Sequence, residues 1–480
     1  MRKQNDDRTN LSQLMGTLAI SSARTAYDLQ DNLIRLDLSR FQLRQLSAQV
    51  GMFTHLQRLD LRGNQLRELP HELAQLTNLQ ELYLNNNLLY ELPPQLGLLT
   101  NLQELHVNNN LLYELSPQLG LLTNLQELHV NNNQLHALPS QLGQLTDLQE
   151  LHVNNNQLHA LPSQLGQLIN LKHLDLSSNL LRLLPAELGH LTNLQRFYLN
   201  NNQLHQIPAE LGLLISLQEL VLNDNLLDEL PASLGQLTNL QGLYLRGNQL
   251  SQLSLDLGRL TRLQRLYLDE NQLRELPPDL GHLTNLQELY LNNNQLRELP
   301  PDLVLLTNLQ MLRLENNPDL LTPPPEIVEQ GTQATLTFLR ELNRDTVRRR
   351  YEAKVILVGE AGTGKSSLLR AVQQKLFDPL LETTHSIEIE ILTLPHPSLP
   401  SKPLVLNTWD FGGQDIYRAT HQFFLTRRSL YLVVWNARIG VAQSKLDYWL
   451  STISILAPDS PVILVATHID ERAPDLNIPQ

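Results

Sequence analysis

The chain has 480 residues, a formal net charge of −13 and no cysteine. Its length allows two or more domains, each with a sizeable core. The acidic balance argues against a general nucleic-acid binder, and the lack of cysteine excludes disulfides, thiolate zinc sites and cysteine nucleophiles.

The N-terminal segment, residues 1–32, has a short apolar stretch interrupted by Ser and Thr and lacks the pattern of a signal peptide. We expect a cap or flexible segment there. The longest apolar runs, such as Tyr431–Trp435, suit buried strands and fall short of the ~18 residues that a membrane span needs. We therefore expect a cytoplasmic protein without a membrane span.

A repeat of 23 residues fills the chain from residue 33 to residue 323. Each unit contains the pattern L-x-x-L-x-L-x-x-N, which closes on an asparagine, as in Leu56, Leu59, Leu61 and Asn64. An upstream unit, which has Phe41 in place of the asparagine, is expected to begin the array. The leucines of one coil turn are expected to stack on those of its neighbours, while the asparagine bonds to backbone groups of the adjacent turn. Thirteen turns predict a concave parallel sheet about 60 Å long. The pattern resembles the leucine-rich-repeat family.

The exposed positions of this concave face form two ladders. In each repeat, one exposed position lies between the two strand leucines, and this position (the slot) is rich in Tyr and His. Two positions before the slot, many repeats carry a glutamate, and these residues form the glutamate ladder: Glu81, Glu104, Glu127, Glu150, Glu219 and Glu288. Such a surface would suit a protein partner that offers basic and apolar groups. Because LQELHVNNNQLHALPSQLGQL occurs twice in succession, the ladders could equally record recent duplication. The slot holds Asp60, Tyr83, His106, His129, His152, Asp175, Tyr198, Val221, Tyr244, Tyr267, Tyr290 and Arg313.

Three of these positions, His106, His129 and His152, would stack on one another. Stacked histidines could bind a metal, but in the sequence no carboxylate pattern singles them out. The sequence therefore favours a face without a metal site.

The repeat ends after Asn317, where proline clusters cannot continue a strand ladder. Apolar residues at helical spacing follow, including Leu336, Leu339 and Leu342. We predict a linker helix within residues 324–350 that caps the solenoid and leads into a second domain over 351–480.

A phosphate-binding loop opens this second domain. The strand Lys354–Val358 is followed by the loop residues GEAGTGKS and then by a helical pattern, which is the context that the motif requires. Backbone N–H groups and the helix N-terminus would face the phosphates, Lys365 would add a positive charge, and Ser366 would ligate Mg²⁺. The predicted nucleotide contacts here are Gly359, Glu360, Ala361, Gly362, Thr363, Gly364, Lys365, Ser366 and Ser367.

A second motif begins at Asp410, at the end of a strand, and continues to Gly413 and Gln414. In P-loop nucleotidases, an aspartate at the end of this strand holds the water shell of the magnesium ion. Gly413 could donate its N–H to the γ-phosphate, and Gln414 could orient an attacking water. Asp410-Phe411-Gly412 also spells a protein-kinase motif. The glycine-rich loop, lysine strand and catalytic loop that a kinase needs upstream do not occur in this sequence, so we predict no kinase domain here.

Two weaker motifs complete the pattern. Thr383 and Thr384 lie between the stronger motifs, where a threonine, preferably Thr384, could reach Mg²⁺ and act as a switch. Thr467, His468 and Asp470 follow a buried strand, and the Asp470 carboxylate could accept both guanine N–H donors. This order favours GTP over ATP.

The chain resembles the Roco family, whose Ras-like GTPase domain is called Roc. The resemblance rests on four motifs that follow the leucine-rich repeats: GEAGTGKSS, TTHSI, DFGGQ and THID. The resemblance implies an α/β protein in which a leucine-rich-repeat solenoid precedes a P-loop NTPase (Ras-like) domain. It implies a GTPase with Mg²⁺ and GTP or GDP, in which Lys365 and Gln414 are catalytic and Ser366, Thr384 and Asp410 hold the metal. Ala361 and His468 differ from the residues usual in small GTPases.

We count five strands in the second domain, where a Ras-like sheet has six, so we expect this domain to be incomplete at its C-terminus. The family's dimerisation domain is not in this sequence, although a homodimer stays possible. Two functions stay open at this point: a slowly hydrolysing GTP switch whose solenoid recruits a partner, and an interaction scaffold with an inactive GTPase domain.

Overall fold

The computed structural model describes residues 6–19, 23–343, 352–376, 387–395, 403–411, 425, 429–439, 444–458 and 460–470. The chain divides into two compact units, Met1–Val347 and Arg348–Gln480, which have separate hydrophobic cores. The predicted linker segment therefore belongs mainly to the first unit. Over the described ranges, no helix is long and apolar enough to cross a membrane.

The first unit is a solenoid built on one sheet of fourteen strands in sequence order. The predicted thirteen parallel strands are present, and an additional strand pairs antiparallel with the first of them. The strands are β1 Arg24–Tyr27, β2 Leu33–Asp37, β3 Arg58–Asp60, β4 Glu81–Tyr83, β5 Glu104–His106, β6 Glu127–His129, β7 Glu150–His152, β8 His173–Asp175, β9 Arg196–Tyr198, β10 Glu219–Val221, β11 Gly242–Tyr244, β12 Arg265–Tyr267, β13 Glu288–Tyr290 and β14 Met311–Arg313.

The register explains why the repeat pattern works. Residues 23 apart pair across adjacent parallel strands, as His106 does with His129 and His129 with His152. The leucines between them point inward and form a single buried core that runs the length of the solenoid. Each exposed slot of the sequence therefore becomes a continuous row of side chains along the sheet.

The predicted asparagine ladder is confirmed. In Asn156, Oδ1 accepts a hydrogen bond from the backbone N–H of Leu135 at 3.0 Å, and Nδ2 donates to the carbonyls of Val130 and Val153 at 3.1 and 2.9 Å. The side chain thus satisfies backbone groups that the coil would otherwise bury without partners. The residue before it, Asn155, has a left-handed backbone with φ of 55°, which asparagine tolerates better than most residues.

The convex side of the solenoid consists of short 3₁₀ turns. Proline precedes most of these turns in an extended conformation, as Pro139 and Pro162 do with φ of −67° and −69°. The turns are Ala48–Met52, His71–Gln75, Pro94–Leu98, Pro117–Leu121, Ser140–Gln144, Ser163–Gln167, Ala186–His190, Ala209–Leu213, Ala232–Gln236, Leu255–Arg259, Pro278–His282 and Pro301–Leu305.

Helices close both ends of the core. At the N-terminal end, α1 (Asp6–Thr17), a helix that the sequence pattern does not predict, buries Leu11 and Leu14. At the other end, α2 (Pro325–Val328) and α3 (Thr332–Asn343) follow the last strand. Leu336 and Leu339 of α3 join the solenoid core, so the predicted capping helix is confirmed.

The second unit contains a five-stranded sheet among its described residues, in the order β16 (Ile387–Pro395), β17 (Pro403–Phe411), β15 (Glu352–Val358), β18 (Ser429–Asn436) and β19 (Val462–Thr467). Only β16 runs antiparallel to its neighbour. All five predicted strands are present within one or two residues at each end. The elements are β15 Glu352–Val358, α4 Lys365–Val372, β16 Ile387–Pro395, β17 Pro403–Phe411, β18 Ser429–Asn436, α5 Leu446–Leu456 and β19 Val462–Thr467.

Candidate nucleotide-binding site

The glycine-rich loop joins β15 to α4 at the carboxyl edge of the sheet. Gly359 has φ of 147°, and a Cβ atom there would lie 2.1 Å from the carbonyl oxygen of Val434 in β18. Gly362 and Gly364 have φ of 74° and 85°, in the left-handed region that glycine enters without steric cost. Gly364 then starts α4 as its N-cap, which leaves the first N–H groups of the helix at the loop.

Lys365, the first residue of α4, is folded back under the loop. It is 6% exposed, and its Nζ donates hydrogen bonds to the carbonyls of Gly359 at 2.9 Å and Glu360 at 3.0 Å. Burial lowers the pKa of this ammonium, while Asp410 and Glu360 oppose the shift. Lysine has three N–H donors, so among the described residues these two bonds leave one donor for an oxygen placed in the loop.

Ser366 and Asp410 meet at the edge between α4 and β17. The Ser366 hydroxyl donates a hydrogen bond to Oδ2 of Asp410, which is 1% exposed. The other carboxylate oxygen, Oδ1, is buried and has no hydrogen-bond partner among the described residues. Burial raises the pKa of Asp410, against the lowering effects of Ser366 and Lys365. A buried carboxylate oxygen without a partner beside a hydroxyl is a donor set that fits Mg²⁺, which prefers oxygen ligands.

The segment after β19 lies next to the loop. Thr467 Oγ1 is 2.8 Å from the carbonyl oxygen of Thr363 and 3.1 Å from that of Trp435. His468 follows with a left-handed φ of 56°, and its Nδ1 lies 3.2 Å from Thr467 Oγ1. Asp470 comes two residues later and is exposed. The tertiary fold therefore brings the predicted base-binding segment to the predicted phosphate loop.

The remaining predicted contacts differ in burial. Thr363 is fully buried and donates to the carbonyl of Glu360 at 2.9 Å, whereas Ala361 is exposed. Ser367 is half-buried in α4. The predicted residues Thr384, Gly413 and Gln414 lie outside the described part of the chain, so their roles stay predictions.

Two contacts at this site were not found from the sequence. Lys445, at the start of α5, lies with Nζ 3.7 Å from Oε2 of Glu360 in the loop. The close approach of Gly359 to Val434 also depends on β18 lying beside β15. No sequence motif marks either pair, because both join segments that are far apart in the chain.

On the solenoid, the concave face bears the predicted aromatic and glutamate ladders. Tyr244, Tyr267 and Tyr290 form a run with ring centroids 5.0 and 4.4 Å apart. The Tyr267 hydroxyl donates to Glu288 at 2.5 Å, and the Tyr198 hydroxyl donates to Glu219 at 2.8 Å. Burial, helped by Glu219, raises the pKa of Tyr198 to about 12. Tyr198 and Tyr267 are thus held as neutral donors to carboxylates of the glutamate ladder.

Comparison with protein families matches both units. Residues 354–470 match the model described as Ras of Complex, Roc, domain of DAPkinase. Residues 31–136 match a leucine-rich repeat region, and further leucine-rich-repeat models match segments between 123 and 304. The predicted order of leucine-rich repeats followed by a Roc domain is confirmed.

Individual relatives agree with these matches. The chain is 33% identical over 177 residues to a probable serine/threonine-protein kinase, pats1, of Dictyostelium discoideum, covering 32% of this chain and 5% of that protein. It is 36% identical over 152 residues to leucine-rich repeat serine/threonine-protein kinase 1 of Mus musculus, covering 31% of this chain and 7% of that protein. The chain thus spans less than a tenth of the length of these two curated relatives.

Among solved structures, a leucine-rich-repeat protein of Leptospira interrogans is 32% identical, with a TM-score of 0.53. The match covers 69% of this chain and 97% of that chain. Such a match, over nearly the whole of the other protein, establishes the repeat family of the first unit.

Proposed function

We propose that this chain, which belongs to the Roco family by its leucine-rich repeats and its Roc domain, is a GTP-binding and slowly GTP-hydrolysing switch whose solenoid recruits a protein partner. The single observation that carries the proposal is the placement of Lys365 under the glycine loop, with Ser366 and Asp410 paired beside it. We place the activity in the cytoplasm.

The loop binds the phosphates of the nucleotide. Its left-handed glycines and the N-terminus of α4 direct N–H groups toward bound oxygen atoms. Lys365 has two of its donors fixed on loop carbonyls, which aims the third at a phosphate oxygen and limits the entropy lost on binding. Its burial strengthens the attraction to the phosphates because water screens it less.

Ser366 and Asp410, joined by Thr384, would hold Mg²⁺, which neutralises charge that develops on the phosphates during hydrolysis. Ser366 would offer its hydroxyl oxygen to the ion, and the buried Oδ1 of Asp410 would serve as a carboxylate ligand. Gly413 donates its N–H to the terminal phosphate, and Gln414 orients the attacking water.

Asp470 selects guanine. Its carboxylate accepts hydrogen bonds from the ring N–H and the amino group of guanine, a donor pair that adenine lacks. The bond between Thr467 and the Thr363 carbonyl supports this assignment, because it ties the base segment to the phosphate loop. The position of His468 between Thr467 and Asp470 then contributes to the shape of the base pocket.

The partner binds on the concave face of the solenoid. Exposed ring edges next to carboxylates favour a protein segment that carries Arg or Lys with apolar neighbours. The acidic net charge of −13 favours the same class of partner.

Nucleotide binding is tested on the 480-residue chain by titration with a fluorescent GTP analogue in the presence of Mg²⁺. We expect GTP and GDP to displace the probe and ATP not to. The Asp470→Asn variant should lose affinity for GTP and gain affinity for xanthosine triphosphate, because the xanthine ring has a carbonyl where guanine has an amino group. Equal displacement by ATP, or unchanged GTP affinity in Asp470→Asn, would refute the assigned base pocket.

Hydrolysis is tested separately by phosphate release under single-turnover conditions. Gln414→Leu should keep GTP affinity and slow hydrolysis, because only the water-orienting amide is removed. A chain that binds GTP yet releases no phosphate above the Lys365→Ala background would refute the hydrolytic part of the proposal. A chain that binds no guanine nucleotide at all would favour the scaffold function, in which the solenoid acts alone.

A further inference from the structure

The run of histidines on the concave face has a carboxylate placed between its members. Glu127 Oε2 lies 3.7 Å from Nε2 of His106 and 3.8 Å from Nε2 of His129. All three ligand atoms lie within 4.8 Å of one another. The sequence alone does not single out this carboxylate, because its place between the two rings depends on the register of adjacent strands.

We propose that His106, Glu127 and His129 bind one divalent transition-metal ion of the Zn²⁺ class on the concave face of the solenoid. Zinc takes imidazole nitrogen at about 2.0–2.1 Å and carboxylate oxygen at about 2.0–2.2 Å, so neighbouring tetrahedral ligands lie about 3.4 Å apart. The nitrogen–oxygen distances observed here exceed that value by only a few tenths of an ångström.

Besides Glu127, Glu104 Oε2 lies 3.9 Å from Nε2 of His106, beyond hydrogen-bond distance. Nε2 of His106 and Nε2 of His129 are buried and make no hydrogen bond within the described part of the chain. Leaving a buried polar atom unpaired costs free energy, and a metal ion would satisfy both atoms at once.

Neighbouring carboxylates distinguish this triad from the alternatives. Glu104 already accepts the Tyr83 hydroxyl at 2.6 Å. Glu150, which belongs to a second possible triad with His129 and His152, lies 3.4 Å from His152 Nε2 and 3.2 Å from His173 Nδ1. Glu127 Oε2 is the carboxylate oxygen that lies between Nε2 of His106 and Nε2 of His129.

Metal binding at this triad requires one small change in side-chain orientation. The rings of His106 and His129 are stacked, with centroids 4.1 Å apart and planes inclined by 17°. Two parallel rings cannot both aim a lone pair at one ion, so metal binding requires the rings to rotate. Rotation about the terminal torsion of histidine has a broad, shallow preference, and it is the least costly adjustment available. Three protein ligands then leave a fourth position for water or for a group of the partner.

The test is isothermal titration of the full chain with ZnCl₂, after removal of metal with a chelator and with saturating Mg²⁺ present to occupy the nucleotide unit. We expect a stoichiometry of one. We expect His106→Ala and Glu127→Gln each to weaken zinc binding by about tenfold or more, since each removes one of three ligands. Mg²⁺ or Ca²⁺ in place of Zn²⁺ should give no binding at this face, because these ions prefer oxygen ligands.

The matched control is the double variant His136→Ala/His159→Ala, which removes two exposed histidines from the same stretch of repeats. It should bind zinc as the unaltered chain does. Equal loss of binding in this control, or no zinc binding by the unaltered chain, would overturn the proposal. Retained binding in Glu127→Gln, or loss in His152→Ala but not in His106→Ala, would overturn the assignment to this triad. Because GTP affinity is measured separately, failure here leaves the proposed GTPase function unaffected.

Discussion

The Ser366 hydroxyl donates a hydrogen bond to the Asp410 carboxylate, and the two residues are 44 positions apart in the chain. This bond joins the first turn of α4 to the end of β17, and it leaves the second carboxylate oxygen of Asp410 buried without a partner among the described residues. The relationship places two oxygen ligands of the proposed Mg²⁺ site side by side.

If Ser366 and Asp410 bind Mg²⁺, substituting them should affect GTP affinity only when Mg²⁺ is present. Ser366→Ala and Asp410→Asn should weaken GTP binding when Mg²⁺ is present and change it little when Mg²⁺ is chelated, because each variant removes a metal ligand and no direct phosphate donor. The measurement is the Kd for a fluorescent GTP analogue with Mg²⁺ and with chelator. Equal weakening under both conditions would assign these residues to the phosphate contacts and not to the metal.

Lys365→Ala should weaken GTP binding with and without Mg²⁺. A hydrogen bond to a charged group contributes about 1.5–3 kcal/mol, which corresponds to a loss of affinity of roughly 10- to 150-fold. The matched control is Lys375→Ala, whose side chain is 50% exposed. Similar affinities for the two variants would contradict the role of Lys365 in binding phosphate.

Gly359 and Gly362 predict unequal effects of the same substitution. Gly359→Ala should destabilise the second unit by more than about 3 kcal/mol, because the new Cβ would lie 2.1 Å from the Val434 carbonyl. Gly362→Ala should cost only about 1–2 kcal/mol, the penalty of a left-handed backbone, because its Cβ position is open.

Tryptophan fluorescence during urea unfolding measures this difference directly. The chain has three tryptophans, Trp409, Trp435 and Trp449, and all lie in the second unit. The signal therefore reports unfolding of that unit without a contribution from the solenoid. Equal stability of the two alanine variants would show that Gly359 is not held against β18.

The asparagine ladder predicts a difference between buried and exposed amides of the solenoid. Asn156→Ala should cost about 3 kcal/mol, because it leaves the Leu135 N–H and two carbonyls buried without partners. Asn170→Ala, which removes one exposed bond to the Thr146 carbonyl, should cost less than about 1 kcal/mol. Urea unfolding followed by circular dichroism checks both values, and tryptophan fluorescence should change in neither variant.

Much of the fold follows from periodicity. The 23-residue repeat defines the leucine core, the asparagine ladder and the row of side chains on the concave face, because each coil turn repeats the same local environment. The terminal helix α1 and strand β1 were missed. The buried apolar residues of α1, Leu11 and Leu14, are too few to form a periodic signal, and they become buried only because the solenoid core lies beside them.

The sequence by itself determined the repeat architecture and the phosphate loop, because both depend on residues close together in the chain or at a constant spacing. Tertiary structure alone decided which distant side chains meet: Thr467 with the Thr363 carbonyl, Lys445 with Glu360, and Glu127 with the ring nitrogens of His106 and His129. The direction in which a side chain points depends on the packing around it, and residue spacing does not record that packing.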